Sequence, residues 1–112
     1  MILVKVMIES PLKGDYERNR KYARACMRDS LALGEAPFAM HLLYAQDGIL
    51  DDTVPGEREM GIAAGLEWST SADLIALYTD LGISEGMQLA QRQAARRGIP
   101  VVYRSGVWGP GQ

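Results

Sequence analysis

With a single cysteine, Cys26, the chain cannot close an internal disulfide or build a cysteine-rich zinc site. Its single histidine, His41, has no clustered cysteine or carboxylate at metal-ligand spacing, so neither a metal nor another cofactor is expected. No apolar run approaches the ~20 residues that a membrane span requires. A signal peptide is not visible either: Met1-Ile2-Leu3-Val4 is apolar, but Lys5 follows and Glu9 interrupts it. An excess of one charge is also lacking. Lysine and arginine total 12 against 14 acidic residues, a formal net charge of −2, which argues against bulk nucleic-acid binding. There is no internal repeat and no low-complexity tract. A soluble, cytoplasmic protein is expected.

What is present suits one globular domain. A chain of 112 residues buries roughly two-thirds of the surface that its unfolded form exposes. The expected division is a domain over 1–104 and an irregular tail over 105–112 that contains three glycines and a proline. Trp108 is placed to pin that tail to the body or to another subunit.

The stretch Ala72 to Ala94 organises the rest. Leu74-Ile75-Ala76-Leu77-Tyr78 is apolar, partly β-branched and too short for a helix, so it reads as a buried strand. The pattern breaks at Thr79-Asp80-Leu81-Gly82-Ile83. It resumes at Ser84, a good N-cap, with helical spacing at Met87, Ala90 and Ala94. Strand, glycine-bearing turn and helix start are the place where α/β proteins present backbone N–H groups to anions. Gly86, in the first helical turn, lets a ligand come close to the backbone. Ser84, Glu85, Gly86 and Met87, with Asp80 and Gly82 before them, are therefore candidate ligand contacts.

Upstream, Ile2 to Ile8 reads as a strand covered on both faces, ended by Glu9-Ser10-Pro11. These three residues are candidates because ligands in α/β folds sit at strand carboxyl ends. Asp15 to Leu33 reads as a helix capped by Asp15, with Ala23, Cys26, Met27 and Leu31 inward and Gly34 as its stop. Arg18 lies near its start, within reach of an anion. Pro37 to Leu43 is a second strand, which brings His41 and Tyr44 to the sheet edge. The adjacent carboxylates Asp51-Asp52 do not converge well on one Mg²⁺. Glu57 to Ser69 reads as a helix with Met60, Ala63, Ala64 and Trp68 inward or toward a partner, and Arg58 in its first turn is another candidate anion contact. Gly61 and Gly65 permit close packing on the sheet or on another subunit. The helix after Ser84 runs to Arg97 with Gly98 as terminator, and Ile99 to Tyr103 is the fourth strand.

The alternation implies an α/β class: a small Rossmann-like three-layer sandwich, with a four-stranded parallel sheet in order 2-1-3-4 and helices on both faces. The chain switch then falls between the first and third strands, and both candidate segments meet at one crevice.

The phrases Glu35-Ala36-Pro37-Phe38, His41-Leu42-Leu43-Tyr44 and Gly82-Ile83-Ser84-Glu85-Gly86-Met87 resemble the nucleoside 2-deoxyribosyltransferase-like superfamily, in its small bacterial and phage branch. The resemblance implies a nucleotide-shaped crevice. In catalytic members a glutamate on the helix after the third strand attacks the anomeric carbon, and a loop aspartate positions or protonates the base. Asp80 matches that aspartate, but alanine, Ala90, stands where the nucleophile is expected. Three readings follow. The chain binds a nucleotide, nucleoside phosphate or ADP-ribose-like compound, as a phage-type protein would to sequester a host signal. Alternatively, Glu85 or Glu9 replaces the nucleophile, with Asp80 assisting, and the protein is an N-glycosidase or transferase. In the third, it is an oligomer assembled through the Gly61/Gly65 helix and the Trp108 tail; relatives complete their pockets with a neighbouring subunit, so a homo-oligomer is expected.

Overall fold

In a computed structural model that describes residues 3–109, strands β1 (Lys5–Glu9), β2 (Ala36–Ala39), β3 (Leu74–Tyr78) and β4 (Val101–Arg104) form one sheet. Every pairing is parallel and the order is β2-β1-β3-β4. The expected sandwich is therefore the observed one. Alternation along the strands divides the core. Val6, Ile8, Ala76 and Tyr78 face α1 (Tyr16–Ala32), where they meet Tyr22 and Cys26. Met7, Ile75 and Leu77 face the opposite side, against Met87 and Ala94 of α3 (Glu85–Arg97).

Local signals account for the helix boundaries. The Asp15 side chain accepts from the Arg18 N–H at 3.1 Å and starts α1. Gly98, at φ 71°, ends α3 in the left-handed region where glycine has no Cβ penalty. The third helix, α2 (Pro55–Ser69), begins with proline at its first turn, two residues earlier than the Glu57 start expected from sequence.

Several inward assignments need correction. Leu31 is exposed, and the inner stripe of α1 runs through Asn19, Tyr22, Ala23, Cys26 and Ser30. Two of those are polar but have fixed partners: Asn19 Nδ2 donates to the Leu12 carbonyl at 2.8 Å and Ser30 Oγ to Glu35 at 2.7 Å. Satisfied polar groups can occupy a helix's buried face, and an apolar pattern does not reveal them. On α2, Met60, Ala63 and Trp68 are exposed and only Ser69 is fully buried. The helix instead approaches its own chain through glycine: a Cβ on Gly65 would lie 3.0 Å from Met40 Cγ, and one on Gly61 3.5 Å from Leu50.

The first strand starts at Lys5 and includes Glu9; of the expected span, Ile2 lies outside the described residues. The second strand stops at Ala39 and a 3₁₀ turn, Met40–Leu42, carries His41. The fourth begins at Val101, one residue beyond Pro100. In the tail, Trp108 packs edge-on to Tyr22 with ring centroids 5.5 Å apart; residues 110–112 lie outside the described residues.

A partly buried ion pair closes the sheet on the α1 side, with Arg104 Nη2 2.7 Å from Glu35 Oε2 and Nη1 also on the Tyr78 hydroxyl. Glu35→Ala should cost on the order of 2 kcal/mol, somewhat below the figure for fully buried pairs. Denaturant unfolding at neutral pH would measure it, and an unchanged midpoint would show the pair to be dispensable.

Candidate functional site

The described residues enclose a cavity of about 420 Å³ at the carboxyl end of β1, on the side of the sheet that carries α2 and α3. Sites for small molecules run from roughly 300 to 1,000 Å³. Its polar lining comes from separate segments: Glu9 and Ser10 from the end of β1, Lys13 from the following loop, and His41 and Tyr44 after β2. Asp52, Glu57 and Arg58 come from the loop before α2 and its first turns, and Ser84 to Met87 from the start of α3. Met40, Leu50, Ile62, Leu66 and Leu89 supply much of the apolar wall.

At the α3 end, Ser84 Oγ accepts from the Met87 N–H at 3.2 Å, and the Ser84 N–H donates to Met87 Sδ at 3.4 Å. The next free amides are those of Glu85 and Gly86, which have no acceptor among the described residues. A Cβ on Gly86 would meet nothing nearer than Ser84 Oγ at 3.9 Å. Packing within the chain therefore does not require glycine there, although glycine weakens a helix. Glu85 is exposed beside it.

At the β1 end, Ser10 is buried and its Oγ has no hydrogen-bond partner among the described residues. His41 Nε2 lies 2.7 Å from the Ser10 carbonyl oxygen. A carbonyl only accepts, so Nε2 carries the proton and, in the neutral ring, Nδ1 is an acceptor. Burial favours that neutral form and lowers the His41 pKa, against the opposing pull of the Ser10 carbonyl and the Asp52 charge. Glu9 has neither a donor nor a cation on its carboxyl among the described residues, and desolvation pushes its pKa up to about 8. At neutral pH Glu9 is mostly an uncharged acid.

The mouth is held by Arg58, whose Nη1 lies 2.8 Å from Asp52 Oδ2, an oxygen that also accepts from the Tyr16 hydroxyl at 3.0 Å. Asp51 does not join this group; it accepts from the Thr53 N–H and hydroxyl. The Tyr44 hydroxyl accepts from Trp68 Nε1 at 2.9 Å and so links the turn after β2 to α2.

Of the residues expected at a site, Glu9, Ser10, His41, Tyr44, Arg58, Ser84, Glu85, Gly86 and Met87 share this cavity, and Pro11, Arg18, Asp80 and Gly82 lie outside it. Pro11 is buried elsewhere. Arg18 is exposed and turns to the neighbouring Asn19 Oδ1, at 3.1 Å from Nη2. Gly82 serves the turn, with φ 91°. Asp80 is committed on the α1 side: Oδ2 accepts from the Tyr22 hydroxyl at 2.8 Å and Oδ1 from the Gly106 N–H at 2.6 Å. These bonds hold its pKa low despite partial burial, and they make it an anchor for the tail. Lys13, Asp52 and Glu57 were not expected here. They sit in irregular or helix-start positions whose neighbours are set by tertiary packing, and nothing in their local pattern marks them. Ala90 lines the cavity, so the position where a nucleophile is expected from the resemblance does face this space.

The model of a family described as a domain of unknown function (DUF7768) matches residues 4–104. That description carries no activity, substrate or link to the deoxyribosyltransferase-like proteins. No curated protein matches the chain.

Ionisation of the site should be visible in stability. The native state keeps the Glu9 proton up to about 8, whereas the unfolded chain releases it near 4.5. Between those values the native state binds more protons, so stability should fall as pH rises through the window and level off above it. His41 acts in the opposite sense, its contribution being lost as pH drops below 6.5. Denaturant melts at stepped pH should show the first slope in the wild type and not in Glu9→Gln; the same slope in both would assign it elsewhere. Ser10→Ala, which deletes an unpartnered buried hydroxyl, should raise stability by roughly 1 kcal/mol in the same melts.

Proposed function

We propose that this chain, which belongs to the DUF7768 domain family, binds a nucleotide or nucleoside phosphate, ADP-ribose-like compounds included, without turning it over. The observation that carries this reading is the meeting of two unsatisfied sites in one cavity. The free amides of Glu85 and Gly86 suit a phosphate oxygen, favoured by the helix dipole. The partnerless Ser10 hydroxyl and Glu9 carboxyl border the same space. Lys13 adds positive charge to the lining, Arg58 being paired with Asp52, and the apolar wall suits a base. Alanine at position 90 leaves that part of α3 without a nucleophile. Retention of ligand, as in sequestering a nucleotide signal, fits such a site better than turnover.

A second reading is N-glycoside cleavage or transfer. It is favoured by two carboxyls in one cavity, Glu9 held neutral as an acid and Glu85 exposed to solvent. Glu85 is then the nucleophile and Glu9 protonates the leaving base, because the Asp80 carboxylate is bound to Tyr22 and Gly106. Release of free base from deoxynucleosides or their monophosphates, abolished by Glu85→Gln, would establish it.

A thermal-shift screen of nucleoside mono- and diphosphates, cyclic nucleotides and ADP-ribose should give at least one hit. Ligand at about 100 times its Kd adds about 2.7 kcal/mol of stability. Gly86→Ala should leave the unliganded protein equally or more stable, by up to roughly 1 kcal/mol, while removing the hit. A flat screen, or a hit that Gly86→Ala leaves intact, would sink the assignment of the α3 amides.

A further inference from the structure

The reading above leaves open what the β1 end of the cavity does. Glu9 and Ser10 are consecutive and both line the cavity; the buried Ser10 Oγ has no partner among the described residues, and the partly exposed Glu9 carboxyl makes no hydrogen bond or ion pair there. Ser10 is 2 % exposed, so bulk water does not readily compensate its hydroxyl. Its backbone carbonyl is already taken by His41, which fixes the backbone beneath the side chain. A buried hydroxyl without a partner is rare in a native interior and costs stability, whereas the Glu9 side chain is only partly buried and opens onto the cavity. A staggered rotation about χ1 is enough to re-aim a serine hydroxyl toward a new partner.

We infer that Glu9 and Ser10 together recognise an uncharged ligand edge that offers a hydrogen-bond donor and acceptor side by side, as the amide and amidine edges of heterocyclic bases do. A neutral carboxyl presents O–H and C=O next to each other and pairs with such an edge through two bonds. An ionised carboxylate only accepts. The charged and titratable groups that share the cavity lining with Glu9 are Lys13, His41, Tyr44, Asp52, Glu57, Arg58 and Glu85. Asp52 and Arg58 neutralise each other, and His41 is uncharged. Lys13 shares the lining, but among the described residues no cation forms a salt bridge with Glu9, which suits a neutral partner. The apolar side chains of Met40, Leu66 and Leu89 in the same lining give a flat ring a dry surface. This assignment rests on the nucleotide reading for the phosphate end of the site.

The test is calorimetric titration of the full chain with adenosine, guanosine, cytidine and thymidine 5′-monophosphates, the parent nucleosides, and ribose 5-phosphate. At least one monophosphate should bind at least about tenfold more tightly than ribose 5-phosphate, the excess measuring the base. Glu9→Ala and Ser10→Ala should each remove most of that excess and leave ribose 5-phosphate binding unchanged. Glu9→Gln, which keeps an adjacent donor and acceptor, should retain it. Raising the pH from about 7 to about 9 should weaken the wild type about tenfold, as the free carboxyl ionises, and leave Glu9→Gln unaffected. Equal affinity for monophosphate and ribose 5-phosphate, or equal loss of both in the variants, would overturn the inference while the phosphate site stands. Nucleosides binding as tightly as their monophosphates, with the same loss in the variants, would support it and remove the phosphate contact instead. No binding by any compound would overturn both.

Discussion

The parallel pairing of β1 with β3 is the constraint on which the rest depends. Its register sets Val6 beside Leu74 and Glu9 beside Leu77. Because the strands run the same way, the segments that leave them emerge on one edge of the sheet, though they lie some seventy residues apart in sequence. Burial on both faces enforces the register. A slip of one residue would send Met7 into the space built for Val6 and Ile8, and Leu77 into that of Tyr78. The same slip would carry Glu9 away from the cavity.

How much of this was legible in the sequence depends on the range of the interactions. The Asp15 and Ser84 caps, the Gly98 stop and the uninterrupted apolar runs of β1 and β3 are local, and each marks its element. Given those elements, the sheet order follows from the rules of crossover connections. What was not legible depends on partners remote in sequence. Asp80 stands where ligands are commonly met, yet its carboxylate is taken by Tyr22, 58 residues away, and Gly106, 26 residues away. Gly65 and Gly61 invite close packing, but only the fold shows that Met40 and Leu50 of the same chain fill the opposite side. Likewise Trp108 packs on Tyr22. Lys13 and Asp52 join the site through loops with no periodicity.

The site also shows where folding and function diverge. Elsewhere the partly buried polar groups are well answered: Asn19, Ser30, Glu35 and Arg104 each have a defined partner. At the end of β1 the buried Ser10 hydroxyl has none among the described residues, and beside it desolvation alone shifts the partly exposed Glu9 carboxyl. A sequence shaped only for stability would replace Ser10 with alanine and Glu9 with an apolar residue. No helix among the described residues is long and apolar enough to cross a membrane.

Helix α2 carries apolar residues around its whole circumference, yet it rests on the body mainly through glycine and through Trp68 stacked on Phe38. A helix anchored by little apolar surface opens at a lower free energy than the central strands. Its amides will exchange with solvent hydrogen well before those of β1 and β3, at a free energy below that of global unfolding. A molecule held in the cavity would rest against Leu66 and slow that exchange from within.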